Sequence, residues 1–316
     1  MTRFGLGILL WSQATTWPEF QTAARRVDRL GYDHLWTWDH LYAIFGDPYQ
    51  PIFEGWTAIT GCAQVTSRVR LGLMVGANTF RNPAIVAKNV VTLDHISGGR
   101  AILGIGGAWH EEEHRAHGIE FGNSAGERLD WLDEAVGVIR QTLDGKVVDH
   151  SGDRYRFEDL RHHPTPIQRH LPIVIGGSGE RKTLRTVARY ADMWNAFGDV
   201  ETLRHKVDVL ESHCRDVGRD PAEIEYTVGC KPLIRDTEAE AKAVLAEKME
   251  ANKTPMDAIA GDASFWVGTA EQIADRIHAL MRLGFQTVIA EMAAPYDDET
   301  LERLIGEVKP MVLARS

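Results

Sequence analysis

An aspartate and a histidine stand side by side where a short apolar run ends, in the sequence WTWDH at residues 36–40. The ordinary pKa of histidine lies near neutrality, so His40 can donate or accept a proton during a redox or addition reaction. A structural interpretation explains the same residues, because Asp39 can cap a turn and His40 can fill a polar niche. The motif alone favours neither interpretation.

A glycine-rich turn, GGSGERKT at residues 176–183, follows another apolar run and opens a helical pattern. Glycines let the backbone approach a ligand closely, and the N-terminus of a helix adds partial positive charge. Arg181 and Lys182 can add full charges, although Arg181 stands where a Walker A loop has glycine. A tight βα turn needs one or two glycines rather than three, so the sequence favours a phosphate-binding turn.

The run HEEEH at residues 110–114 matches the zinc motif HExxH, with Glu134 as a conceivable third ligand. A zinc hydrolase using His110, Glu111 and His114 is therefore an alternative function. That motif requires a continuous helix, whereas this run directly follows an apolar run and glycine turn. Acidic side chains at the start of a solvated helix explain the same residues, and we predict no metal site.

Short apolar runs alternate with helical patterns along the whole chain. The predicted strands cover residues 4–10, 34–39, 71–75, 101–106, 172–176, 193–196, 225–230 and 287–292. The predicted helices cover residues 19–30, 55–65, 83–96, 125–142, 181–190, 201–217, 238–251 and 270–283, with a closing helix near 299–312. Eight βα units predict an α/β TIM (β/α)8 barrel, whose functional residues lie at the carboxyl ends of the strands. An open doubly wound sheet is the alternative, but no switch point is evident.

Two segments exceed what the βα units require, and we interpret them as insertions in a single domain, 1–316. The first, near residues 145–170, has two β-type runs around Ser-Gly-Asp and then a Pro-rich stretch. The second, residues 252–265, is polar and without periodicity, and it could form a mobile lid. No stretch has the character of a domain linker.

The composition indicates an ordinary globular protein, with 44% hydrophobic and 25% charged residues among 316. A net charge of -10 argues against nucleic-acid partners, which require a basic face. There is no polybasic membrane patch, no apolar run of the ~20 residues that span a bilayer, and no cleavage site after the apolar N-terminal run. Cys62, Cys214 and Cys230 are too far apart to indicate disulfides or a thiolate metal site, so we expect a cytoplasmic protein.

Several segments together resemble the luciferase-like monooxygenase superfamily, and within it the oxidoreductases that use the deazaflavin coenzyme F420. The resemblance covers residues 4–195 and 267 to the end. Its matching motifs are WDH (38–40), LGLMVGANTFRNP (71–83), TLDHISGGRAILGIGG (92–107), Trp109 with EEEH (111–114), and PIVIGGSGERKTLRTVARYADMWN (172–195).

The resemblance implies a barrel whose bulged third strand carries a non-prolyl cis peptide bond, here Met74-Val75, behind the deazaflavin ring. It implies that Asp39 contacts the coenzyme and that His40 moves a proton beside the hydride centre. The other coenzyme contacts that it implies are Gly76, Ala77, Gly107, Ala108, Gly176, Gly177, Ser178, Gly179 and Lys182. Tryptophans at strand ends suit a flat apolar ligand, and those assigned to the substrate walls are Trp11, Trp109 and Trp194.

The implied reaction is hydride transfer between C5 of the deazaflavin and a small organic substrate. The family's sugar-phosphate dehydrogenases have Glu where Trp109 stands and Trp where Ile44 stands, so their substrate is not indicated. Members that use FMN share the barrel and the bulge, which leaves a reduced-FMN monooxygenase as an alternative. A coenzyme-binding protein without turnover is another. The resemblance also suggests a homodimer, while the substrate and the direction of transfer stay open.

Overall fold

The barrel wall begins with β1 (Gly5–Leu10), all of whose residues are buried in the computed structural model, which describes residues 4–315. Successive side chains of a strand point to opposite faces. Leu6, Ile8 and Leu10 accordingly join the core between strands and helices, whereas Leu9 joins a second core inside the barrel. Burial on both faces explains why these strands read as continuous apolar runs.

Parallel pairing connects the wall in a ring. The other wall strands are β2 (His34–Thr37), β3 (Arg70–Leu73), β4 (Gly76–Ala77), β5 (Leu103–Gly106), β8 (Ile173–Gly176), β9 (Met193–Ala196), β10 (Glu225–Ile234) and β12 (Phe285–Met292). β1 pairs with β12 on one side and with β2 on the other. The ring closes where β4 pairs with β5 and a bridge joins Leu71 of β3 to Ala101, just before β5. The predicted TIM-type barrel is confirmed.

Helices alternate with the wall strands along the chain. They are α1 (Trp17–Leu30), α2 (Gly55–Ala63), α3 (Pro83–Ser97), α4 (Glu111–Ala116), α5 (Ala125–Leu143), α6 (Thr183–Tyr190), α7 (Val200–Val217), α8 (Glu238–Ala251), α9 (Ala270–Met281), α10 (Asp298–Arg303) and α11 (Lys309–Ala314). The predicted closing helix is thus interrupted, because a π-helical stretch, Leu304–Val308, separates α10 from α11. No helix among residues 4–315 has both the length and the apolarity to span a bilayer.

The third strand departs from its predicted range, because it is interrupted at Met74 and Val75 and resumes as β4. The second strand ends at Thr37, two residues earlier than predicted, so Trp38, Asp39 and His40 lie in the loop beyond it. Both differences place candidate site residues on irregular backbone at the carboxyl rim rather than within regular strands. This is where a TIM barrel carries its site.

The two β-type runs of the first insertion form an antiparallel hairpin, in which β6 (Val148–Ser151) pairs with β7 (Arg156–Leu160). The second insertion contains a 3-10 turn, Met256–Ile259, and leads into a strand that was not predicted, β11 (Phe265–Gly268), which pairs with β10. Asn252 is buried and donates a hydrogen bond to the Ala294 carbonyl at 2.7 Å. This insertion is therefore packed against the loop after β12, and its motion as a lid stays a prediction.

Candidate active site

A cavity of about 560 Å³ opens where the wall strands end. One side of it is built almost entirely from residues with little or no side chain, which leaves backbone exposed to a ligand: Gly76, Ala77, Gly106, Gly107, Ala108, Gly176, Gly177 and Gly179. Larger side chains surround that surface, among them Trp38, His40, Phe45, Trp109 and Phe197. A surface of bare backbone with aromatic neighbours fits a planar ligand.

The Met74–Val75 peptide bond at this surface is cis, as the resemblance implies. Val75 projects between two wall strands, and this explains why both strands have glycine beside it. A Cβ atom on Gly106 would lie 2.7 Å from Val75 Cγ2, and one on Gly176 would lie 3.0 Å from both Val75 methyl carbons. The glycines therefore let Val75 occupy the floor of the cavity.

Asp39 lines the cavity, but its carboxylate is hydrogen-bonded mainly to other protein groups. Its carboxylate forms two bonds with Arg81, at 2.7 and 3.0 Å, and accepts the Ala77 amide at 2.9 Å. Burial raises the pKa of the Asp39 carboxyl, and the charge of Arg81 opposes that effect. Arg81 also contacts Glu54, which caps α2. Asp39 thus connects the loop after β2 to β4 and α2.

His40 is held by an acidic residue that the sequence interpretation did not select as its partner. His40 Nδ1 lies 3.0 Å from Glu113 Oε1, and Glu113 Oε2 accepts the amides of Leu41 and Tyr42 at 2.8 and 3.3 Å. Because an ionised carboxylate can only accept, Nδ1 is the donor in this contact, and no hydrogen bond to Nε2 is present among residues 4–315. The arrangement is that of an oriented general base or acid.

The pKa of Glu113 reflects two opposed effects. Burial alone would raise it, but the hydrogen bonds from His40 and from the amides of Leu41 and Tyr42 outweigh burial. The pKa of Glu113 is consequently below its ordinary value. An ionised Glu113 carboxylate can only accept hydrogen bonds, which fixes its role toward His40 and the two amides.

The HExxH interpretation is wrong, because its second histidine is fully engaged with protein atoms. His114 Nδ1 lies 2.7 Å from the His110 carbonyl oxygen, and Nε2 lies 2.6 Å from Thr79 Oγ1. The supposed third ligand, Glu134, is bound to His150 in the first insertion at 2.8 Å. Within residues 4–315 the group of potential metal ligands is instead His40, His110 and Glu113, two of which already bond to each other.

The glycine-rich turn lies at the cavity, with Gly177 and Gly179 on its surface and Gly177 in a positive-φ conformation of 114°. Helix α6 begins after it, at Thr183. Ser178 lies between these glycines and is partly buried. Lys182 differs from its prediction, because its ammonium group bonds to Asp130 at 2.6 Å and so brings no free charge to the cavity.

Of the three predicted tryptophan walls, only Trp109 lies at the cavity, where it is 62% exposed and its ring centroid is 5.6 Å from that of His40. The assignment of Trp194 is wrong, because its side chain points outward and its ring packs against Tyr226 and Phe285. Trp11 is also not a wall of this cavity. It is buried behind Phe45, with ring centroids 4.4 Å apart.

Two ionisable residues at the cavity escaped the sequence interpretation, Lys231 in β10 and Glu291 in β12. Burial raises the pKa of the Glu291 carboxyl, while the charges of Lys231 and His40 act to lower it. A signal was present, because Glu291 is an acidic residue near the carboxyl end of an otherwise apolar strand. Unpaired charges are costly in such positions and therefore mark functional sites.

Comparison with known proteins shows the family to which the chain belongs. The model of the luciferase-like monooxygenase family matches residues 6–287. The chain belongs to that family. Among solved structures, an F420-dependent secondary alcohol dehydrogenase in complex with an F420-acetone adduct superposes with a TM-score of 0.83, at 22% identity, over 98% of this chain and 99% of the other. This likeness supports the fold.

Curated relatives of this luciferase-like protein use two different coenzymes. An F420-dependent hydroxymycolic acid dehydrogenase of Mycobacterium tuberculosis is 26% identical over 76% of the chain, and the match spans 65% of that relative's length. An FMNH2-dependent dimethylsulfone monooxygenase of Pseudomonas putida is 27% identical over 98% of the chain and 92% of its own length. The chain spans 65% of the length of the first of its curated relatives, and the two named here are a dehydrogenase that depends on F420 and a monooxygenase that depends on FMNH2.

Proposed function

We propose that this chain is a coenzyme F420-dependent oxidoreductase that transfers a hydride between C5 of the deazaflavin and a small organic substrate. The observation that carries the proposal is the imidazole of His40, oriented by Glu113 at the edge of a cavity with a bare-backbone floor. A proton-transfer group beside a planar redox coenzyme is what reversible reduction of a polar substrate requires. The F420-dependent relative supports the same assignment.

The cavity residues fit the proposed coenzyme on steric grounds. Val75 and the glycines beside it would form the surface behind the ring, because Cβ atoms on Gly106 and Gly107 would lie within 2.8 Å of neighbouring side chains. Ser178 and Gly179, in the turn before α6, would bind the charged tail through backbone amides, whereas the Gly177 amide already donates to the Asn195 carbonyl at 3.0 Å. Asp39 keeps Ala77 and Arg81 in place at the same surface.

When bound, F420 supplies the hydride donor or acceptor. The protein supplies placement and the proton. His40 Nε2 gives a proton to the substrate, or removes one from it, as the hydride moves. Glu113 keeps the imidazole in one orientation, while Trp109 covers His40 at the cavity mouth and limits access by water.

Fluorescence titration tests the coenzyme directly. The intact protein is titrated into F420 and, in parallel, into FMN, and the quenching of each ligand gives its dissociation constant. We expect F420 to bind at least about tenfold more tightly, a difference of about 1.4 kcal/mol. Equal binding, or preference for FMN, would refute the proposed coenzyme.

A reduced-FMN monooxygenase is the second candidate, because the dimethylsulfone monooxygenase matches almost the whole chain. The two functions differ in their reaction with oxygen, since a reduced deazaflavin reacts poorly with it. Oxygen uptake is therefore measured with reduced FMN and with reduced F420. Uptake that depends on the protein and on reduced FMN would favour the monooxygenase.

The remaining assignments rest on the resemblance and on composition. We propose a small-molecule substrate, a cytoplasmic location, a homodimer and no nucleic-acid or membrane partner. Light scattering of the purified protein tests the dimer, and a mass equal to one chain would contradict it.

A further inference from the structure

The segment between β2 and α2, residues 38–54, forms part of the cavity but contains no helix and no strand beyond a single bridge at Ile52. Ile44 and Phe45 lie on this segment, and both line the cavity. A segment without regular structure keeps one conformation only where other groups bind its backbone N–H and C=O. The groups that bind Ile44 and Phe45 therefore decide the shape of the cavity here.

Gln13 supplies most of these contacts from the loop after β1, where its side chain is fully buried. Gln13 Oε1 accepts the amide of Ile44 at 3.0 Å and that of Phe45 at 3.3 Å, and Nε2 donates to the Phe45 carbonyl at 3.0 Å. Gln50 Nε2 donates to the same carbonyl at 2.8 Å. Side-chain amides thus bind both backbone groups of Phe45, as a neighbouring strand does in a sheet.

The ring of Phe45 is fixed as well. Its centroid lies 4.4 Å from that of Trp11 at an interplanar angle of 10°, and 6.1 Å from that of Trp38 at 23°. The Lys231 ammonium lies 6.0 Å from the Phe45 centroid and 5.6 Å from that of Phe197, and a cation is attracted to ring faces. Trp38, Phe45 and Phe197 all line the cavity, and we call them the aromatic wall.

The two ionisable residues of β10 and β12 at this part of the cavity each have protein partners. Lys231 bonds to Ser264 Oγ at 2.7 Å and lies 3.6 Å from Asp262 Oδ2. Glu291 Oε2 accepts the Trp11 indole N–H at 3.2 Å. The aromatic wall thus offers a ligand chiefly ring surface, and ring contacts depend on shape and mutual orientation.

We propose that Gln13 is a positioning residue that sets the substrate selectivity of the cavity. By fixing the backbone of Ile44 and Phe45, it keeps the aromatic wall rigid, and a rigid wall of flat rings binds a planar ring better than a puckered ring of the same size. The substrate class is then one that carries a planar, unsaturated ring. The inference rests on the proposed function only in taking this cavity as the substrate site.

The test compares two probes that share a polar group and differ in the shape of the ring, benzonitrile and cyclohexanecarbonitrile. Ligand-observed NMR gives the affinity of each for the full chain with F420 bound. We expect benzonitrile to bind about three- to tenfold more tightly to wild type, as ring contacts allow. Equal affinities, tighter binding of the puckered ring, or no binding of either probe would overturn the proposal.

Gln13→Met keeps the length of the side chain and removes its hydrogen bonds. The preference for benzonitrile should fall below about twofold, and the amides of Ile44 and Phe45 should exchange hydrogen at least about tenfold faster. Gln50→Met removes a single bond to the Phe45 carbonyl, so it is a milder variant and should lower the preference less. A preference that persists in both folded variants would show that Gln13 does not set it.

Phe45→Leu tests whether Gln13 acts through the ring. This variant should lose the preference, and adding Gln13→Met to it should cause no further change, because the two residues form one coupled unit. Additive losses would contradict that route.

Gln168→Met is the matched control for a merely structural effect. Gln168 Nε2 donates to Asp94 Oδ1 at 2.7 Å and to the Ala101 carbonyl at 2.8 Å, beside the start of β5 and thus at the end of the barrel away from the cavity. We expect this variant to melt at a lower temperature but to keep the preference for benzonitrile. An equal loss of preference in Gln168→Met and Gln13→Met would overturn the proposal.

F420 quenching on the same samples separates this proposal from the proposed coenzyme. Gln13→Met should bind F420 within about twofold of wild type. If wild type does not bind F420 but prefers benzonitrile with FMN bound, the coenzyme assignment fails and the role of Gln13 stands. If Gln13→Met loses F420 affinity together with the preference, Gln13 supports the coenzyme site and its role in selectivity fails.

Discussion

At the scale of single residues, His40 depends on a carboxylate that lies 73 positions later in the chain. His40→Ala removes the proton-transfer group but leaves the floor and the glycine-rich turn intact. We expect turnover to fall about 10²- to 10⁴-fold, with F420 affinity changed less than about threefold. Steady-state kinetics and fluorescence titration measure the two quantities. Equal losses of turnover and binding would contradict the assigned role.

Glu113→Gln keeps the shape of the side chain and removes its charge. We expect a loss of turnover of about tenfold or more, but smaller than that of His40→Ala, because the imidazole keeps an acceptor but loses its counter-charge.

The stability of Glu113→Gln also has a predicted pH dependence. The pKa of Glu113 is lowered in the folded protein, so its charge stabilises the fold above the ordinary pKa of glutamate. That contribution is lost as the pH falls through the lowered value. Denaturant unfolding of wild type and variant should show a difference that is constant near neutrality and shrinks in acid. A difference that grows in acid would contradict the assignment.

At the scale of elements, Asp39 and Arg81 join the loop after β2 to β4 and α2. Asp39→Asn keeps the volume but leaves the guanidinium of Arg81 without its main counter-charge. We expect a loss of about 3 kcal/mol in unfolding free energy, as for other broken buried pairs. Chemical denaturation measures it. If Asp39→Asn in an Arg81→Met background costs as much, the pair is not the cause.

The floor of the cavity depends on close contact between β5 and the residues after β3. In Gly106→Ala, the added methyl group would lie 2.7 Å from Val75 Cγ2 and would displace that side chain. We expect F420 affinity to fall by about tenfold or more, together with about 1 to 3 kcal/mol of stability. Gly306→Ala is the matched control, since its Cβ meets nothing within 4 Å. Unchanged affinity in Gly106→Ala would show that the coenzyme binds elsewhere.

At the scale of the whole molecule, a ligand that binds only the folded barrel stabilises all of it. F420 at about 100 times its dissociation constant should add about 2.7 kcal/mol, and FMN at the same concentration should add less. Thermal melting measures both shifts. The F420 shift should survive dialysis against a chelator, because no assigned contact requires a metal. Loss of the shift after chelation would return the cluster of His40, His110 and Glu113 to consideration.

The sequence predicted the wall well and the site only in part. Strands buried on both faces are continuous apolar runs, so the barrel order was visible, and β9 was predicted to the residue. A side chain's contacts across the barrel mouth leave no local pattern. Glu113 was therefore noted only as one letter of the HEEEH run, without a role, although it contacts His40.

The direction of a side chain explains the other errors. Trp194 occupies a strand end as predicted, but strand alternation turns it toward the helices, while its neighbour Met193 points into the barrel. β11 was not predicted, because it has only four residues and directly follows a polar segment without periodicity. Lys182 was misjudged because Asp130, on α5, takes its charge.

Trp109, which lines the cavity and is largely exposed, can serve as an intrinsic fluorescence probe of ligand entry. Among residues 4–315 it is the tryptophan that stands mostly in solvent, whereas the others of its kind are enclosed or partly enclosed. A solvated indole emits at longer wavelength than buried indoles, so changes at the red edge of the tryptophan emission report a ligand that reaches the cavity mouth, without a label. A Trp109→Phe variant keeps the other eight tryptophans and provides the blank.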